Sequence, residues 1–119
     1  MQSNDYFEVE ERGDVTIVRI LLGKILDERD IQSMGRQLFN LVEVQRASRV
    51  LLDFAAVTFL SSCFLGKLYT LEKKVKKIGA KLVLCRISPE MSEVFDITRL
   101  NRFFDIRITE EEGLGALAS

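Results

Sequence analysis

Hydrophobic and polar residues follow two different spacings along the chain, one typical of β-strands and the other of α-helices. A β-branched, largely apolar run at residues 15–22 predicts a buried strand. An alternating stretch precedes it at residues 6–11, and the short Arg-Gly-Asp break between the two predicts a hairpin. Compact apolar runs predict further strands at residues 49–54, 81–86 and 104–108.

Between these strands, apolar residues recur at steps of three and four, as on the buried face of an amphipathic helix. This spacing predicts one helix over about residues 28–45 and another over about residues 62–79. The second helix is expected to end at Gly79, because glycine is favoured just after helix ends.

Two more helices are predicted from their capping signals. Ser88 is expected to be an N-cap, with Pro89 at the first helical position. Thr109 and Glu112 have the spacing of a capping box for a terminal helix. The inner face of the short helix after Ser88 is expected to consist of Val94, Phe95 and Ile97.

The predicted order of elements is β-β-α-β-α-β-α-β-α. Strands that alternate with helices of this length predict a mixed, mainly parallel sheet with an N-terminal hairpin and helices packed on it. No linker, repeat or low-complexity segment interrupts residues 1–119, so we expect a single α/β domain.

Composition narrows the functional classes more than it narrows the fold. Hydrophobic residues make up 47% of the 119 residues and charged residues 29%, enough for a packed core. Lys and Arg number 17 against 18 Asp and Glu, which argues against nucleic acid or an anionic membrane as the main partner. The chain has no histidine, the commonest general base and a common zinc ligand. We therefore expect no catalytic activity, no metal site and no cofactor.

The N-terminus and the cysteines indicate the compartment. Residues 1–11 carry four acidic side chains and no apolar segment, unlike a secretory signal. No run of about 18 apolar residues predicts a transmembrane helix. Cys63 and Cys85 are too few for a disulfide framework or a four-cysteine metal site. We expect a soluble protein of the reducing cytoplasm.

The start of the second helix carries the most informative polar residues. Ser61, Ser62 and Cys63 follow a loop beyond the carboxyl end of a predicted parallel strand, where open α/β proteins usually place their function. Both serines are suitable N-caps. A phosphate added here would be tolerated, because free N–H groups and the helix dipole favour anions.

Two sequence blocks around this helix have the order and spacing of a family motif. The chain reads LLDF at residues 51–54 and VTFLSSCFLG at residues 57–66. These blocks resemble the STAS domain family of anti-sigma factor antagonists, which typically reads Val-Leu-Asp-Leu and then Phe-Met-Asp-Ser-Ser-Gly-Leu-Gly. The resemblance spans about residues 15–108. It includes further blocks at residues 79–85, 87–90, 94–100 and 103–104.

The resemblance implies a bacterial regulatory protein that acts by being bound. Unmodified antagonists of this family bind an anti-sigma factor, often a serine kinase, and release the sigma factor. Phosphorylation within the Asp-Ser-Ser/Thr-Gly segment abolishes the binding, and a phosphatase restores it. Family members also contact their kinase through the loop that corresponds to residues 23–28, which implies Lys24 and Asp27 as contact residues.

The chain departs from the family motif at its functional centre. In the shared register, Ser61 replaces the family Asp and Ser62 matches the first Ser. Cys63 then occupies the usual phosphoacceptor position, and Phe64 replaces the Gly. A Ser/Thr kinase does not form the ordinary phosphoester on Cys63. Either Ser62 or Ser61 is therefore the phosphoacceptor, or the chain is not phosphorylated at this site.

Phe64 and Cys63 each have a structural and a functional interpretation. An exposed Phe64 would belong to a hydrophobic partner patch, whereas an inward Phe64 would belong to the core, the usual place for one isolated aromatic. Cys63 is either a redox-sensitive thiol at a helix N-terminus or, like most free cysteines, a buried and inert filler. Cys85 is expected in the core.

Two groups of charged residues also have alternative interpretations. Asp27, Glu28 and Asp30 are suited to a cation, but equally to the positive end of a helix dipole. The lysines of the second helix lie away from its apolar side, which favours a solvated face over a phosphate or nucleic-acid site. These lysines are Lys67, Lys73, Lys74, Lys76 and Lys77.

We predict a non-enzymatic module that docks on an anti-sigma factor or a related kinase through residues 23–28 and the N-terminal half of the second helix. The expected contact residues are Lys24, Asp27, Ser61, Ser62, Cys63 and Phe64. The alternatives are a small-ligand or nucleotide-binding sensor on the same fold, and a constitutive scaffold subunit of a signalling assembly.

Overall fold

Strands and helices alternate along residues 2–118, the part of the chain that the computed structural model describes. The helices are α1 (Glu28–Glu43), α2 (Ser62–Lys77), α3 (Pro89–Ile97) and α4 (Glu110–Ala118). The strands are β1 (Gln2–Ser3), β2 (Phe7–Arg12), β3 (Val15–Ile20), β4 (Lys24–Ile25), β5 (Arg49–Asp53), β6 (Phe59–Leu60), β7 (Lys81–Cys85) and β8 (Asp105–Arg107).

The main sheet has the strand order β1-β2-β3-β5-β7-β8. β1, β2 and β3 pair antiparallel, whereas β3, β5, β7 and β8 pair in parallel. Gly13 has a φ of 60°, a left-handed conformation that glycine adopts readily in the tight turn between β2 and β3. The predicted hairpin and mixed, mainly parallel sheet are thereby confirmed.

The three shortest strands were not predicted from the sequence. β1, β4 and β6 have two residues each, too few for a periodicity to show in the sequence. β4 pairs in parallel with β6, so the two loops expected at residues 23–28 and 55–60 are joined to each other. The first loop follows the carboxyl end of β3 and leads into α1, and the second follows the carboxyl end of β5 and leads into α2.

The two faces of the main sheet are covered unequally. On one face, α1, α2 and α3 enclose the larger core, which contains Leu52 of β5. On the other face, α4 packs on a smaller core that contains Leu51. The approach of α4 is close, because a Cβ at Gly113 would lie 2.5 Å from Cδ1 of Leu51. Adjacent residues of β5 thus serve different cores, since strand side chains alternate between the two faces.

The buried face of α3 differs from the predicted one. Met91 and Phe95 are its buried residues, one helical turn apart. Val94 is 39% exposed and Ile97 is 80% exposed, so the prediction that they line the inner face is wrong. A helix of nine residues buries only a narrow stripe; at about 100° per residue Val94 lies at its edge and Ile97 lies on the solvent side of the helix.

The predicted caps of α3 and α4 are confirmed, except that one hydrogen bond of the capping box is shifted by one residue. Ser88 Oγ accepts the N–H of Met91 at 3.2 Å, and Pro89 opens α3. Thr109 Oγ1 accepts the N–H of Glu112 at 3.1 Å. The Glu112 carboxylate reaches the N–H of Ile108 at 3.3 Å, one residue before the position that a capping box specifies. α1 and α2 each begin at the predicted residue and end two residues early.

Candidate functional site

The start of α2 is held by hydrogen bonds between two loops that are distant in sequence. The N–H of Thr58 donates to the carbonyl of Gly23 at 2.7 Å, and the N–H of Ser61 donates to the carbonyl of Ile25 at 3.0 Å. Ile25 and Leu60 are buried beneath these loops. The backbone on both sides of Ser61 is therefore fixed relative to the loop at residues 23–28.

Ser61 is the N-cap of α2. Its backbone is extended, and its Oγ accepts the N–H of Phe64 at 3.4 Å. Its carbonyl also accepts the N–H groups of Phe64 and Leu65, at 3.1 and 3.2 Å. The Ser61 hydroxyl is thus half-buried and engaged, whereas Ser62, the first residue of α2, is exposed. Of the two serine candidates, Ser62 is the one that presents its side chain to solvent.

Cys63 and Phe64 point in opposite directions. Phe64 is fully buried in the larger core, so its core interpretation is confirmed and it presents no surface for a partner. Cys63 is exposed, so the interpretation of Cys63 as a buried filler is wrong. Successive helical residues are rotated by about 100°, so the inward turn of Phe64 directs Cys63 outward.

Cys85 lies in the core, as predicted. It is fully buried at the end of β7. Burial raises the pKa of the Cys85 thiol to about 12, and the carboxylates of Asp53 and Glu110 add to the effect. The thiol is therefore protonated at neutral pH and closed to solvent reagents.

Lys24 and Asp27 have different roles in the loop at residues 23–28. Lys24 is exposed and pairs in register with Phe59. Asp27 is the N-cap of α1, and its Oδ1 accepts the N–H groups of Arg29 and Asp30 at 2.8 and 3.4 Å. Within residues 2–118, no group of His, Cys, Asp and Glu side chains is arranged to hold a metal ion.

Two exposed apolar residues that the sequence analysis missed flank these positions. Leu26 is 51% exposed and Phe59 is 55% exposed, although both are large hydrophobic side chains. Their only sequence signal is that they are apolar residues within segments expected to be loops. We call the exposed residues of the two paired loops and the first turn of α2, namely Lys24, Leu26, Phe59, Ser62 and Cys63, the exposed ridge.

The lysines of α2 form a solvated face that is engaged with neighbouring side chains. Lys74 donates to Glu43 at 3.0 Å, and Lys67 donates to Gln32 at 3.0 Å. Lys76 lies 4.6 Å from the ring centroid of Phe103, and Lys73 lies 5.4 Å from that of Tyr69. Four of the five lysines are therefore paired with acidic, amide or aromatic side chains near the helix surface.

A charged cluster that the sequence analysis also missed joins α4 to the sheet. Glu110, in the first turn of α4, accepts from Arg19 Nε at 2.8 Å and from Arg86 Nη2 at 3.4 Å. Arg86 in turn contacts the buried carboxylate of Asp53. Hydrogen bonds from Arg19 are the largest cause of the lowered pKa of Glu110, which is about 2. Burial is the largest cause of the raised pKa of Asp53.

The chain matches a known protein family over most of its length. The family model of the STAS domain matches residues 6–113. BtrV of Bordetella bronchiseptica, a candidate anti-sigma factor antagonist, is 29% identical over 68 residues, which are 57% of this chain and 59% of BtrV. The chain therefore aligns with less than two thirds of that relative.

Solved structures of similar proteins have the same fold. A candidate anti-sigma factor antagonist from Thermotoga maritima superposes with a TM-score of 0.86 and 19% identity, over 95% of each chain. The phosphorylated form of SpoIIAA, a cell fate determinant of Bacillus, superposes with a TM-score of 0.71 and 19% identity, over 92% of this chain and 97% of SpoIIAA. Within residues 2–118, no helix is long and apolar enough to span a membrane.

Proposed function

The chain belongs to the STAS domain family, and on that basis we propose that it is an anti-sigma factor antagonist, a non-catalytic regulatory module of the bacterial cytoplasm. It binds an anti-sigma factor or a related serine kinase through the exposed ridge. The observation that carries the proposal is the exposure of Leu26 and Phe59 beside Ser62, on a backbone held by hydrogen bonds.

The exposed ridge has the composition of a small binding surface. Leu26 and Phe59 supply apolar anchors, and large anchors usually contribute most of the binding energy of an interface. Lys24 and Asp27 border them with opposite charges, which fits a partner with complementary charges and favours one orientation. Because β4 and β6 hold the ridge in place, binding requires little ordering of the backbone.

Ser62 is the proposed phosphoacceptor. It is exposed, whereas the Ser61 hydroxyl caps α2, and Cys63 does not form an ordinary phosphoester. A phosphate on Ser62 would lie at the N-terminus of α2, where the helix dipole favours negative charge, so the fold would tolerate it. The added charge of about -1.5 to -2 would fall between the apolar anchors and a partner, and would weaken the contact. A phosphatase would restore binding.

Capture from an extract of the source organism tests the proposal. We expect the immobilised chain to retain an anti-sigma factor or a serine kinase, and the Leu26→Ala/Phe59→Ala variant to retain much less of it. Val44→Ala is the matched control, because Val44 is also an exposed apolar residue but lies beyond α1. Equal retention by the two variants, or capture of neither protein class, contradicts the proposal.

Incubation with the captured kinase and ATP tests the switch. We expect one added phosphate by intact mass, lost in Ser62→Ala and kept in Ser92→Ala, a control serine that is exposed on α3. Ser62→Asp should remain folded and bind the partner at least about tenfold more weakly. A phosphate that persists in Ser62→Ala places the modification elsewhere.

A further inference from the structure

A cleft between β2 and the C-terminal half of α1 lies apart from the exposed ridge. Its volume is about 310 Å³, within the range of pockets that hold small molecules. Phe7, Val9 and Leu41 line it with apolar groups, and among residues 2–118 the only ionisable residue on its wall is Glu11. Asp27, beside the exposed ridge, caps the opposite end of α1.

Carboxamide side chains are concentrated in this cleft. The chain has four glutamines and three asparagines, and five of these seven residues line the cleft. The cleft has only nine lining residues in a chain of 119, so random placement would not collect this share. The two carboxamides outside it are Gln32 and Asn101. Those that line it are Gln2, Asn4, Gln37, Asn40 and Gln45.

One pair of these carboxamides is held in a fixed orientation. Asn4 Oδ1 accepts the N–H groups of Tyr6 and Phe7 at 2.8 and 2.9 Å. Asn4 Nδ2 donates to Gln37 Oε1 at 2.9 Å, and Gln37 Nε2 donates to Ser33 Oγ at 3.3 Å. Each carboxamide in this pair is therefore oriented by hydrogen bonds to both its oxygen and its nitrogen.

A second pair leaves a donor and an acceptor available. Gln45 Nε2 donates to Asn40 Oδ1 at 3.1 Å. Within residues 2–118, Asn40 Nδ2 and Gln45 Oε1 make no side-chain hydrogen bond, so a donor and an acceptor remain beside each other. A carboxamide pairs well with a ligand edge that carries an acceptor beside a donor, as asparagine and glutamine do with adenine.

We propose that this cleft binds an uncharged nucleobase or nucleoside, with Asn40 and Gln45 on its hydrogen-bonding edge and Val9 and Leu41 against its ring. Neither Lys nor Arg lines the cleft, and Glu11 lies in its wall, so a phosphate group would be disfavoured. The inference is independent of the proposed function, because the cleft and the exposed ridge share no residue.

Calorimetric titration of the full chain with adenosine, guanosine, cytidine and uridine tests the inference, with the 5′-monophosphate of each nucleoside as its charged analogue. We expect one site for at least one nucleoside and weaker binding of its phosphate ester. Asn40→Ala and Gln45→Ala should each weaken binding by roughly five- to tenfold through a lost hydrogen bond. The matched controls Asn101→Ala and Gln32→Ala, which remove the carboxamides outside the cleft, should leave the affinity unchanged.

Several results would overturn the inference. These are no saturable binding of any nucleoside at millimolar concentration, tighter binding of a 5′-monophosphate than of its nucleoside, or equal losses in the cleft variants and the controls. Saturable binding of glucose or of a blocked dipeptide in place of nucleosides would also overturn it, by assigning the cleft to another ligand class. Asn40→Ala should leave partner capture unchanged, so failure here is distinct from failure of the proposed function.

Discussion

The guanidinium of Arg86 lies on the carboxylate of Asp53, with Nε 3.1 and 2.9 Å from the two oxygens. Asp53 is 1% exposed at the end of β5, so Arg86 provides the positive charge for a buried negative one. Arg86 directly follows β7 and has a φ of 55°, in the left-handed region that costs energy for a residue with a side chain. The ion pair therefore holds a backbone conformation that the residue would otherwise disfavour.

Replacing Arg86 by glycine separates these two effects. Arg86→Gly relieves the backbone but leaves Asp53 without its counter-charge, so we expect the free energy of unfolding to fall by about 1–3 kcal/mol. Arg99→Gly is the matched control, since Arg99 has a φ of 63° and is exposed. The unfolding free energy of the Arg99→Gly variant should change by less than about 1 kcal/mol, because the relief of backbone strain offsets the larger entropy that glycine loses on folding. Urea unfolding followed by circular dichroism measures both, and equal changes would show that Arg86 acts only through its backbone.

Glu110 should make stability depend on pH in the acidic range. Its pKa in the folded state is lowered to about 2, mainly by the hydrogen bonds from Arg19. A lowered pKa means that the ionised form stabilises the fold, so the contribution is complete above about pH 5 and is lost as the pH falls towards 2. The difference in unfolding free energy between wild type and Glu110→Gln should therefore be on the order of 1–2 kcal/mol at pH 6 and shrink towards pH 3.

The neighbouring acid is the control for that measurement. Glu111 is exposed in the same turn of α4, and Glu111→Gln should follow the wild-type pH profile. Asp53 has the opposite effect on the pH dependence of stability. Because its pKa is raised in the folded state, its contribution to the free energy of unfolding is lost as the pH rises. A wild-type advantage over Glu110→Gln that grows below pH 5 would contradict the assigned role of Glu110.

Ser61 and Ser62 should differ in their effect on stability. Ser61→Ala removes the N-cap of α2 and should lower the free energy of unfolding by about 0.5–2 kcal/mol. Ser62→Ala removes an exposed hydroxyl and should change it by less than about 0.5 kcal/mol. Urea unfolding of the two variants compares them directly, and the reverse ranking would identify Ser62 as the cap.

Phe59 and Phe64 form a matched pair for separating folding from binding. Phe64→Ala creates a cavity in the larger core and should lower the free energy of unfolding by about 3–5 kcal/mol. Phe59 is 55% exposed, so Phe59→Ala should cost less than about 1 kcal/mol but weaken partner binding by tenfold or more. Thermal melting and a binding titration on the same samples test this, and full affinity in Phe59→Ala would remove Phe59 from the interface.

The two cysteines should react at very different rates with a thiol reagent. Cys63 is exposed and should be alkylated in the folded protein, whereas Cys85 is buried with a thiol pKa of about 12. Intact mass should show one rapid addition at neutral pH and a second only after unfolding in urea. Cys63→Ser should abolish the rapid addition, and its persistence would show that Cys85 is accessible.

The sequence by itself determined the order of the helices and of the five longer strands, and the residues at which the helices begin. Periodicity and capping are local, since Ser88 and Met91, or Thr109 and Glu112, interact within one helical turn. The same local signals placed the start of α2 at the correct residue. The family motif added an expected function, because each of its blocks is a short local segment of the sequence.

Only the tertiary structure decided which surfaces those elements share. The pairing of β4 with β6, the outward direction of Cys63 and the contact between Asp53 and Arg86 all depend on how separate segments pack together. The same holds for the cleft, where Asn4 meets Gln37 across 33 positions of the chain. Local patterns indicate the buried face of the longer elements, although not that of the short α3. Contacts between distant residues arise only from the packing of whole elements against one another.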